Sequence, residues 1–580
     1  MLDVLIRGAT VVDGTGAAGH VADVGLRDGR IAVVGSTTED AAEVIDGAGL
    51  VVCPGFIDPH THYDAQLLWD PYASPSNVHG VTTVISGNCG FTLAPLRAED
   101  VDWTLEMMAE VEGMPLEALR AGVGGGWTSF PEYLDRLDGS LGVNAAFLVG
   151  HCALRRFVMG ERGSEARAEP DDLVSMQALL DEALAAGALG FSSSQSFTHN
   201  DGDGRPIPSR AADTDEVLAL CRVVAEHPGT TLEYITDGCL KGFSDEEVER
   251  LTAMSLAAGR PLNWNVLTVD ARSADEVERQ LRASRHAEEH GARVVALTMP
   301  TLVPMNMSFL TRCALTLMPY WDTILTLPVP ERMERLRDPE VRRRMQEAAK
   351  SDEAGVLKRL SGWANYEIGD TYADENRPFE GRRVGDIAAD RGTSPFDTLV
   401  DIVLADDLRT VLWPLPPEDD LASWQLRMDL VDSDRAMVGG SDAGAHLDRM
   451  LGSAYPTAFL ADCLRGRRLL PVERAVRAMT DVPARLFGLR ERGRVAEGWH
   501  ADLVLFDPEH VGSHRIRKVA DLPADSERLY AGADGIVAVL VNGVTAVSDG
   551  EATGALAGAL LRSGRDTETV GVPGHPTTED

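Results

Sequence analysis

The middle of this 580-residue chain alternates short apolar runs with amphipathic stretches of helical periodicity. The helical stretches cover residues 171–186, 213–226, 244–258 and 273–290. A strand that leads through a helix to a second strand in the same direction is the repeating unit of parallel α/β folds. The alternation therefore predicts an α/β protein whose largest unit is a parallel barrel.

The two ends of the chain differ in character from the middle. Residues 1–54 and 491–561 contain short strand-like runs separated by turns such as Asp13-Gly14 and Asn542-Gly543, and we expect them to form one small β-sandwich. The barrel then spans residues 55–490. Residues 562–580, rich in Gly, Pro, Thr and charge, are predicted to be a disordered tail.

One segment interrupts the rhythm of the barrel. From about residue 300 to 382 the sequence is Pro-rich and highly charged, which predicts an inserted subdomain, because barrel loops tolerate insertions and carry function. The insertion is either a lid over a binding site or an oligomerisation arm. The sequence therefore leaves open whether the protein forms a homo-oligomer.

Composition narrows the class of partner. The net charge of −37, from 54 basic and 91 acidic residues, argues against nucleic acid and membrane surfaces as partners. The seven cysteines are scattered without CxxC spacing, which argues against disulfides and favours a reducing cytoplasm. The first residues lack the pattern of a signal peptide, and no run approaches the roughly 20 apolar residues of a membrane helix. We expect a soluble cytoplasmic protein that binds a small molecule.

Two histidines stand just beyond an apolar run. His60 and His62 follow residues 51–57, which read as a buried strand. Alternate residues of a strand project from the same face, so both imidazoles can bind one metal ion. Active sites of parallel barrels are built at the carboxyl ends of the strands. This pair therefore predicts a metal site at the barrel mouth.

Two further candidate ligands follow apolar runs. Asp442 comes after residues 436–438, and an aspartate there can hold a metal and accept the proton of a metal-activated water. Cys89 follows residues 81–85. A lone cysteine is as readily a small buried hydrophobe as a metal ligand, so the pattern leaves its role open.

Several segments together resemble the amidohydrolase superfamily, and within it the N-acyl-D-amino-acid deacylase branch. The similar segments are residues 54–64, 77–90, 149–151, 190–194, 439–446 and 473–480. The resemblance covers residues 1–555 and implies a TIM-like (β/α)8 barrel with the insertion as a lid over its mouth. It implies hydrolysis of a C–N amide bond by metal-activated water, with Asp442 as general base and acid.

The resemblance also implies that Cys89 contacts the metal, where hydantoinase-like relatives have a carboxylated lysine. The sequence agrees, because only Lys241 of its four lysines falls among the predicted barrel strands. The chain departs from the family after the fifth strand, where Glu233, Tyr234 or Asp237 replaces a histidine. It departs again after the sixth strand, where the family has a second histidine and residues 262–266 contain no histidine.

The ligand set His60, His62, Cys89 and Asp442 accordingly predicts one tightly bound Zn²⁺, with another divalent metal left open. Glu233 or Asp237 is the alternative route to a second metal position. Phe197 replaces the expected aromatic hydroxyl, with His199 as a substitute. The predicted substrate-binding residues are His151, Arg155, His199, Glu233, Tyr234 and His446.

The metal-dependent amidohydrolase function has two alternatives. One is a cyclic-amide or other amide hydrolase of the same superfamily, which the altered strand-five and strand-six positions make credible. The other is a non-catalytic binding protein with the amidohydrolase fold. For His151, a hydrogen-bonded histidine of the barrel rim is as credible as a substrate contact.

Overall fold

The computed structural model describes residues 1–416 and 419–575. Its centre is a sheet of eight parallel strands whose order in space follows their order in the chain. The strands are Phe56–Asp58, Val81–Ser86, Asn144–Gly150, Gly190–Gln195, Thr231–Thr236, Leu262–Trp264, Val294–Thr298 and Ala436–Val438, here called the first to eighth barrel strands. A parallel bridge between Thr61 and Ala443, just beyond the two edge strands, joins the first to the eighth. The predicted TIM-like barrel is confirmed.

Alternation along each strand divides its side chains between two cores. In the fifth strand, Leu232 and Tyr234 pack into the core between sheet and helices, and Glu233 points into the barrel. The bottom of the barrel interior holds a separate apolar cluster that includes Ile57 and Leu148. The α-helices of this unit are Val101–Glu112, Leu116–Gly122, Phe130–Leu137, His151–Met159, Pro170–Ala185, Thr214–Ala225, Gly238–Lys241, Asp245–Ala258, Ala274–Glu289, Leu421–Val431, Tyr455–Leu464, Val472–Met479 and Asp481–Leu486.

Both ends of the chain enter one nine-stranded sheet. Its strands are Leu2–Val11, His20–Arg27, Arg30–Gly35, Ala41–Asp46, Val51–Pro54, Leu503–Phe506, Ile536–Val541, Val544–Ser548 and Glu551–Ala552. Two ribbons accompany it, formed by Gly512–Ser513 with Ala533–Asp534 and by Arg517–Leu522 with Ser526–Tyr530. Val51–Pro54 pairs with Leu503–Phe506, so a single residue, Gly55, separates this sheet from the first barrel strand.

The insertion between the seventh and eighth strands has its own apolar core, which includes Trp321, Trp363, Phe396 and Leu412. Its helices are Asp322–Leu325, Val329–Arg337, Pro339–Lys350, Val384–Arg391 and Pro395–Ala405, and its strands are Tyr366–Ile368 and Leu412–Pro414. The predicted end near residue 382 falls short of this core. The last two helices have the periodicity of barrel helices, but they bury their apolar faces within the insertion.

The prediction of a disordered tail is wrong for residues 562–575, which run across the amino-terminal end of the barrel. Backbone groups and one threonine hydroxyl pair this strap, residues 557–575, with residues at or just before the starts of the third, fourth, fifth and seventh barrel strands. The pairs are Leu561 N to Ala145 O, Ser563 N to Gly187 O, Thr567 Oγ1 to Gly229 O and Gly574 N to Gly291 O. Main-chain pairing orders this polar sequence, and composition does not reveal such pairing. Residues 576–580 of the predicted tail lie outside the described residues.

No helix in the described part of the chain combines the length and the apolar composition that crossing a membrane requires.

Candidate metal centre

Four side chains of the types that bind metals, from three strand ends, lie at the carboxyl end of the barrel. The Nε2 atoms of His60 and His62 lie 3.4 Å and 3.9 Å from Asp442 Oδ1. His60 Nε2 also lies 3.5 Å from Cys89 Sγ. The donor atoms of the two histidines and Cys89 all lie within 4.8 Å of one another. The first, second and eighth strands therefore deliver a compact N₂SO donor set.

The spacing of these donors fits a tetrahedral zinc ion. Zn–N and Zn–O bonds of about 2.0 Å and a Zn–S bond of about 2.3 Å imply N···O edges of about 3.3 Å and N···S edges of about 3.5 Å. The N···O distance of 3.4 Å and the N···S distance of 3.5 Å match these edges, and the N···O distance of 3.9 Å is longer. The donor types fit zinc; His60, His62 and Cys89 form the compact group, and Asp442 approaches it from the side of the two histidines.

Burial sets the protonation of the ligands. It lowers the pKa of His62 to about 3, with a further contribution from His199, and it lowers the pKa of His60 well below its usual value. Both imidazoles are therefore neutral and have a lone pair to offer. Burial raises the pKa of Asp442 to about 7; the charge of Asp58 adds to this, and the hydrogen bond from Asn265 opposes it. A divalent cation stabilises the ionised carboxylate and reverses this shift.

Three non-glycine residues of this region have left-handed backbone angles. The φ angles are +56° at Cys89, +50° at Asp442 and +51° at His446. Such conformations cost on the order of 1–3 kcal/mol each and persist only where the surroundings impose them. Their concentration around one group of side chains is typical of a functional site.

Hydrogen bonds from neighbouring strands hold two of the acidic groups. Asn265 Nδ2 donates to Asp442 Oδ1 at 2.9 Å. The Cys89 N–H donates to Glu233 Oε2 at 2.7 Å, while Glu233 Oε1 is buried without a hydrogen-bond partner. The replacement of the strand-five histidine by Glu233 thus places an acid beside the thiol. The sequence analysis noted that the segment around Asn265 lacks a histidine, but it did not predict the hydrogen bond of Asn265 to Asp442.

Two of the predicted strand-five candidates do not face the centre. Tyr234 points away from the barrel interior, and its hydroxyl donates to Gln195 Oε1 at 2.7 Å. Asp237 lies beyond the strand, where its Oδ1 accepts the Phe197 N–H at 2.6 Å. Tyr234 is therefore a core residue instead of the predicted substrate contact, because it alternates with Glu233 along the strand.

His151 and Arg155 belong to a buried ion-pair network. The ring nitrogens of His151 lie 2.8 Å from Ser193 Oγ and 2.8 Å from Glu216 Oε1. Arg155 contacts both oxygens of Glu216 and also donates to the Gly163 carbonyl. Both side chains are fully buried, so the structure gives them a structural role instead of the predicted contact with substrate.

A cavity of about 950 Å³ lies between the barrel loops and the insertion. His199, His446 and Arg449 line it on the barrel side, most of residues 312–322 line it on the insertion side, and its lining includes none of the four candidate ligands. His199 Nδ1 lies 2.8 Å from Ser194 Oγ, while His446 Nδ1 has no hydrogen-bond partner. Of the predicted substrate-binding residues, these two histidines border the cavity.

Glu112 is a neighbour of the centre that sequence reasoning missed. Its Oε1 lies 3.4 Å from His62 Nδ1, and only 3% of the residue is exposed. It ends the helix Val101–Glu112, one turn beyond the buried Met108. A glutamate at a position of the apolar face was the available signal.

The chain matches the model of the amidohydrolase family over residues 43–547. It is 31% identical to the N-acyl-D-aspartate deacylase of Alcaligenes xylosoxydans xylosoxydans over 573 residues, which cover 95% of this chain and 93% of that protein.

Two solved structures are similar to the whole molecule. D-aminoacylase, described as having a binuclear metal centre that one metal activates and a second attenuates, aligns with a TM-score of 0.61 and 28% identity. The N-acyl-D-glutamate deacylase of Bordetella bronchiseptica, in complex with zinc and a phosphonate inhibitor, aligns with a TM-score of 0.61 and 26% identity. Each alignment covers 97% of this chain and 100% of the other.

Proposed function

The chain belongs to the amidohydrolase family, and from this premise we propose that it is a metal-dependent hydrolase of C–N amide bonds, most like an N-acyl-D-amino-acid deacylase. The observation that carries the proposal is the meeting of His60, His62, Cys89 and Asp442 at the mouth of the barrel. The relatives that align along the whole chain include deacylases of N-acyl-D-aspartate and N-acyl-D-glutamate.

We further propose that these four residues hold one tightly bound Zn²⁺. The second position of a binuclear centre needs donors of its own, and the fifth and sixth strands offer Glu233 and Asn263 there instead of histidines. Oxygen donors hold zinc less well than imidazoles do. Cys89 then serves as a terminal ligand of the single ion.

Zinc bound at this site supplies Lewis acidity, which polarises an amide carbonyl and lowers the pKa of a water molecule. The protein supplies the proton transfers. The Asp442 carboxylate takes the proton of the attacking water and passes it to the nitrogen of the departing amine. Asn265, which donates to Oδ1, keeps the carboxylate in one orientation during both steps.

The cavity between the barrel loops and the insertion is the proposed substrate site. Arg449 borders it and can pair with the carboxylate of an N-acyl amino acid. His199 and His446 can contact the amide or the acyl group. The insertion forms the opposite wall, so we propose that it acts as the lid and that the barrel, residues 55–490, is the catalytic unit.

The test is a hydrolysis screen with N-acyl D- and L-amino acids and with cyclic amides, using wild type and Asp442→Asn. Asparagine keeps the size of the side chain but cannot accept the proton, so we expect kcat to fall on the order of 10²–10⁴-fold. Asp434→Asn, at an exposed position before the same strand, is the matched control and should keep wild-type kcat. Hydrolysis of cyclic amides alone, or a kcat of Asp442→Asn within threefold of wild type, would overturn the proposal.

A further inference from the structure

The ring of His62 lies between two carboxylates. Its Nε2 is 3.9 Å from Asp442 Oδ1, on the side of the metal centre, and its Nδ1 is 3.4 Å from Glu112 Oε1 on the opposite side. His62 is 2% exposed and Glu112 3% exposed. The two ring nitrogens therefore face different partners in a site with little access to water.

The Nδ1 atoms of both histidines are buried without a hydrogen bond in this structure. They differ in what lies nearby, because Glu112 Oε1 is 3.4 Å from His62 Nδ1, whereas the contacts of His60 are through its Nε2. An imidazole that gives its Nδ1–H to a carboxylate is fixed in the tautomer whose Nε2 lone pair is free for a metal, and that lone pair becomes more basic. Among the described residues, a carboxylate oxygen lies within 4.0 Å of Nδ1 in His62 alone of these two histidines.

The fold holds Glu112 in position from several directions. Its carbonyl accepts the backbone N–H of His446, which ties the end of the helix Val101–Glu112 to the loop after the eighth strand. Gly113 ends the helix with φ of +59°, and a Cβ there would overlap the guanidinium of Arg449. Burial raises the pKa of Glu112 well above its usual value; the negative charges of Asp442 and Asp64 add to this, and the positive charge of Arg449 opposes it.

Burying the Glu112 carboxyl group costs free energy, which indicates that the group has a role in the site. A carboxyl group buried among other acids is unfavourable unless a polar partner compensates it, and the neutral imidazole of His62, 3.4 Å away, can supply its Nδ1–H. A helix end could be tied to the neighbouring loop by backbone bonds alone. The carboxylate itself adds the contact with the imidazole.

We propose that Glu112 is a positioning residue of the metal centre, which accepts the Nδ1–H of His62 and thereby orients the Nε2 lone pair toward the ion. The inference rests on the metal centre proposed above. Groups of this kind commonly account for about 10- to 100-fold in metal affinity. Removing the Glu112 carboxylate should weaken metal binding without removing any ligand.

The experiment measures the affinity of the metal-free full-length protein for Zn²⁺ and Co²⁺ by competition with a chelator. Glu112→Ala should bind each metal about 10- to 100-fold more weakly than wild type. Glu112→Gln, whose amide oxygen can still accept the Nδ1–H, should recover part of the loss. Glu106→Gln, an exposed position on the same helix, is the matched control and should bind as wild type does.

Two further readouts separate positioning from a purely structural role. The visible spectrum of the Co²⁺ protein should change in Glu112→Ala, and unfolding of the metal-free Glu112→Gln protein should match wild type. Wild-type affinity in both Glu112 variants would overturn the inference, and if Glu112→Ala does not fold, Glu112→Gln alone decides. Absence of metal binding in wild type would instead overturn the proposed function.

Discussion

Glu216 shows how one buried side chain can organise its neighbours. It contacts His151 and Arg155, and each of the three is buried. Burial by itself raises the pKa of Glu216, but the hydrogen bonds and charges of His151 and Arg155 outweigh it and lower the pKa to about 2. Glu216 is therefore ionised in the folded protein throughout the neutral range.

We predict that Glu216→Gln destabilises the fold by about 3–5 kcal/mol at neutral pH, because it leaves the Arg155 charge buried without its partner. The folded pKa lies below the ordinary value of 4.5. The contribution of the pair is therefore fully present above pH 4.5 and is lost as the pH falls toward about 2.

Urea unfolding at several pH values checks both parts of this prediction. The difference between wild type and Glu216→Gln should shrink below pH 4.5, while Glu226→Gln, exposed at the end of the same helix, should unfold as wild type does at each pH. Equal stability of wild type and Glu216→Gln near pH 7 would rule out the role given to this network.

Single residues also show how far the site could be predicted from sequence. His60, His62 and Asp442 each follow an apolar run, and the ends of parallel strands meet at one edge, so strand position was enough to group these three. Strand position placed Cys89 at the same edge, but its part in the predicted ligand set came from the family resemblance. Glu112 could not be grouped in this way, because it comes from a helix end and reaches the site only through tertiary packing.

At the scale of elements, the strap of residues 557–575 explains how the bottom of the barrel is closed. Leu561 is 2% exposed and joins the interior cluster of Ile57, Leu148 and Phe487. The strap therefore adds an apolar side chain to the barrel interior as well as backbone hydrogen bonds to its strands.

We predict that Leu561→Ala destabilises the protein by about 2–5 kcal/mol, the usual cost of emptying a buried leucine site. Leu556→Ala, where the leucine is 50% exposed, is the matched control and should change stability little. Chemical denaturation of both variants checks this. Similar stabilities of the two variants would show that the strap does not contribute to the barrel core.

Elements whose apolar residues repeat regularly along the sequence were predictable. Elements whose structure depends on the part of the chain that they pack against were not. The alternation of strands and helices was sufficient for the parallel barrel. Composition failed for the strap, because polar residues can be ordered by main-chain pairing. The sequence pattern also did not reveal where the insertion ends. The helix Pro395–Ala405 would have the same apolar face whether it packed against the barrel or against the core of the insertion.

In the whole molecule, the nine-stranded sheet and the barrel are joined by buried polar contacts. Asp502, beside the strand Leu503–Phe506, pairs with Arg492 and accepts from Asn144 Nδ2 at 3.1 Å. Asn144 begins the third barrel strand, and its Oδ1 accepts from Asn542 at 2.8 Å. Such contacts fix orientation, because buried polar groups must be satisfied together. The third barrel strand therefore starts from a residue that is bonded to the nine-stranded sheet.

The central claim is that this framework presents one metal site built from His60, His62, Cys89 and Asp442. The most direct test is metal content per chain after removal of metal, reconstitution with Zn²⁺ and dialysis, in wild type and in His60→Ala. We predict close to one equivalent in wild type and loss of that equivalent in the folded variant. Two tightly held equivalents in wild type, or full occupancy in His60→Ala, would contradict it.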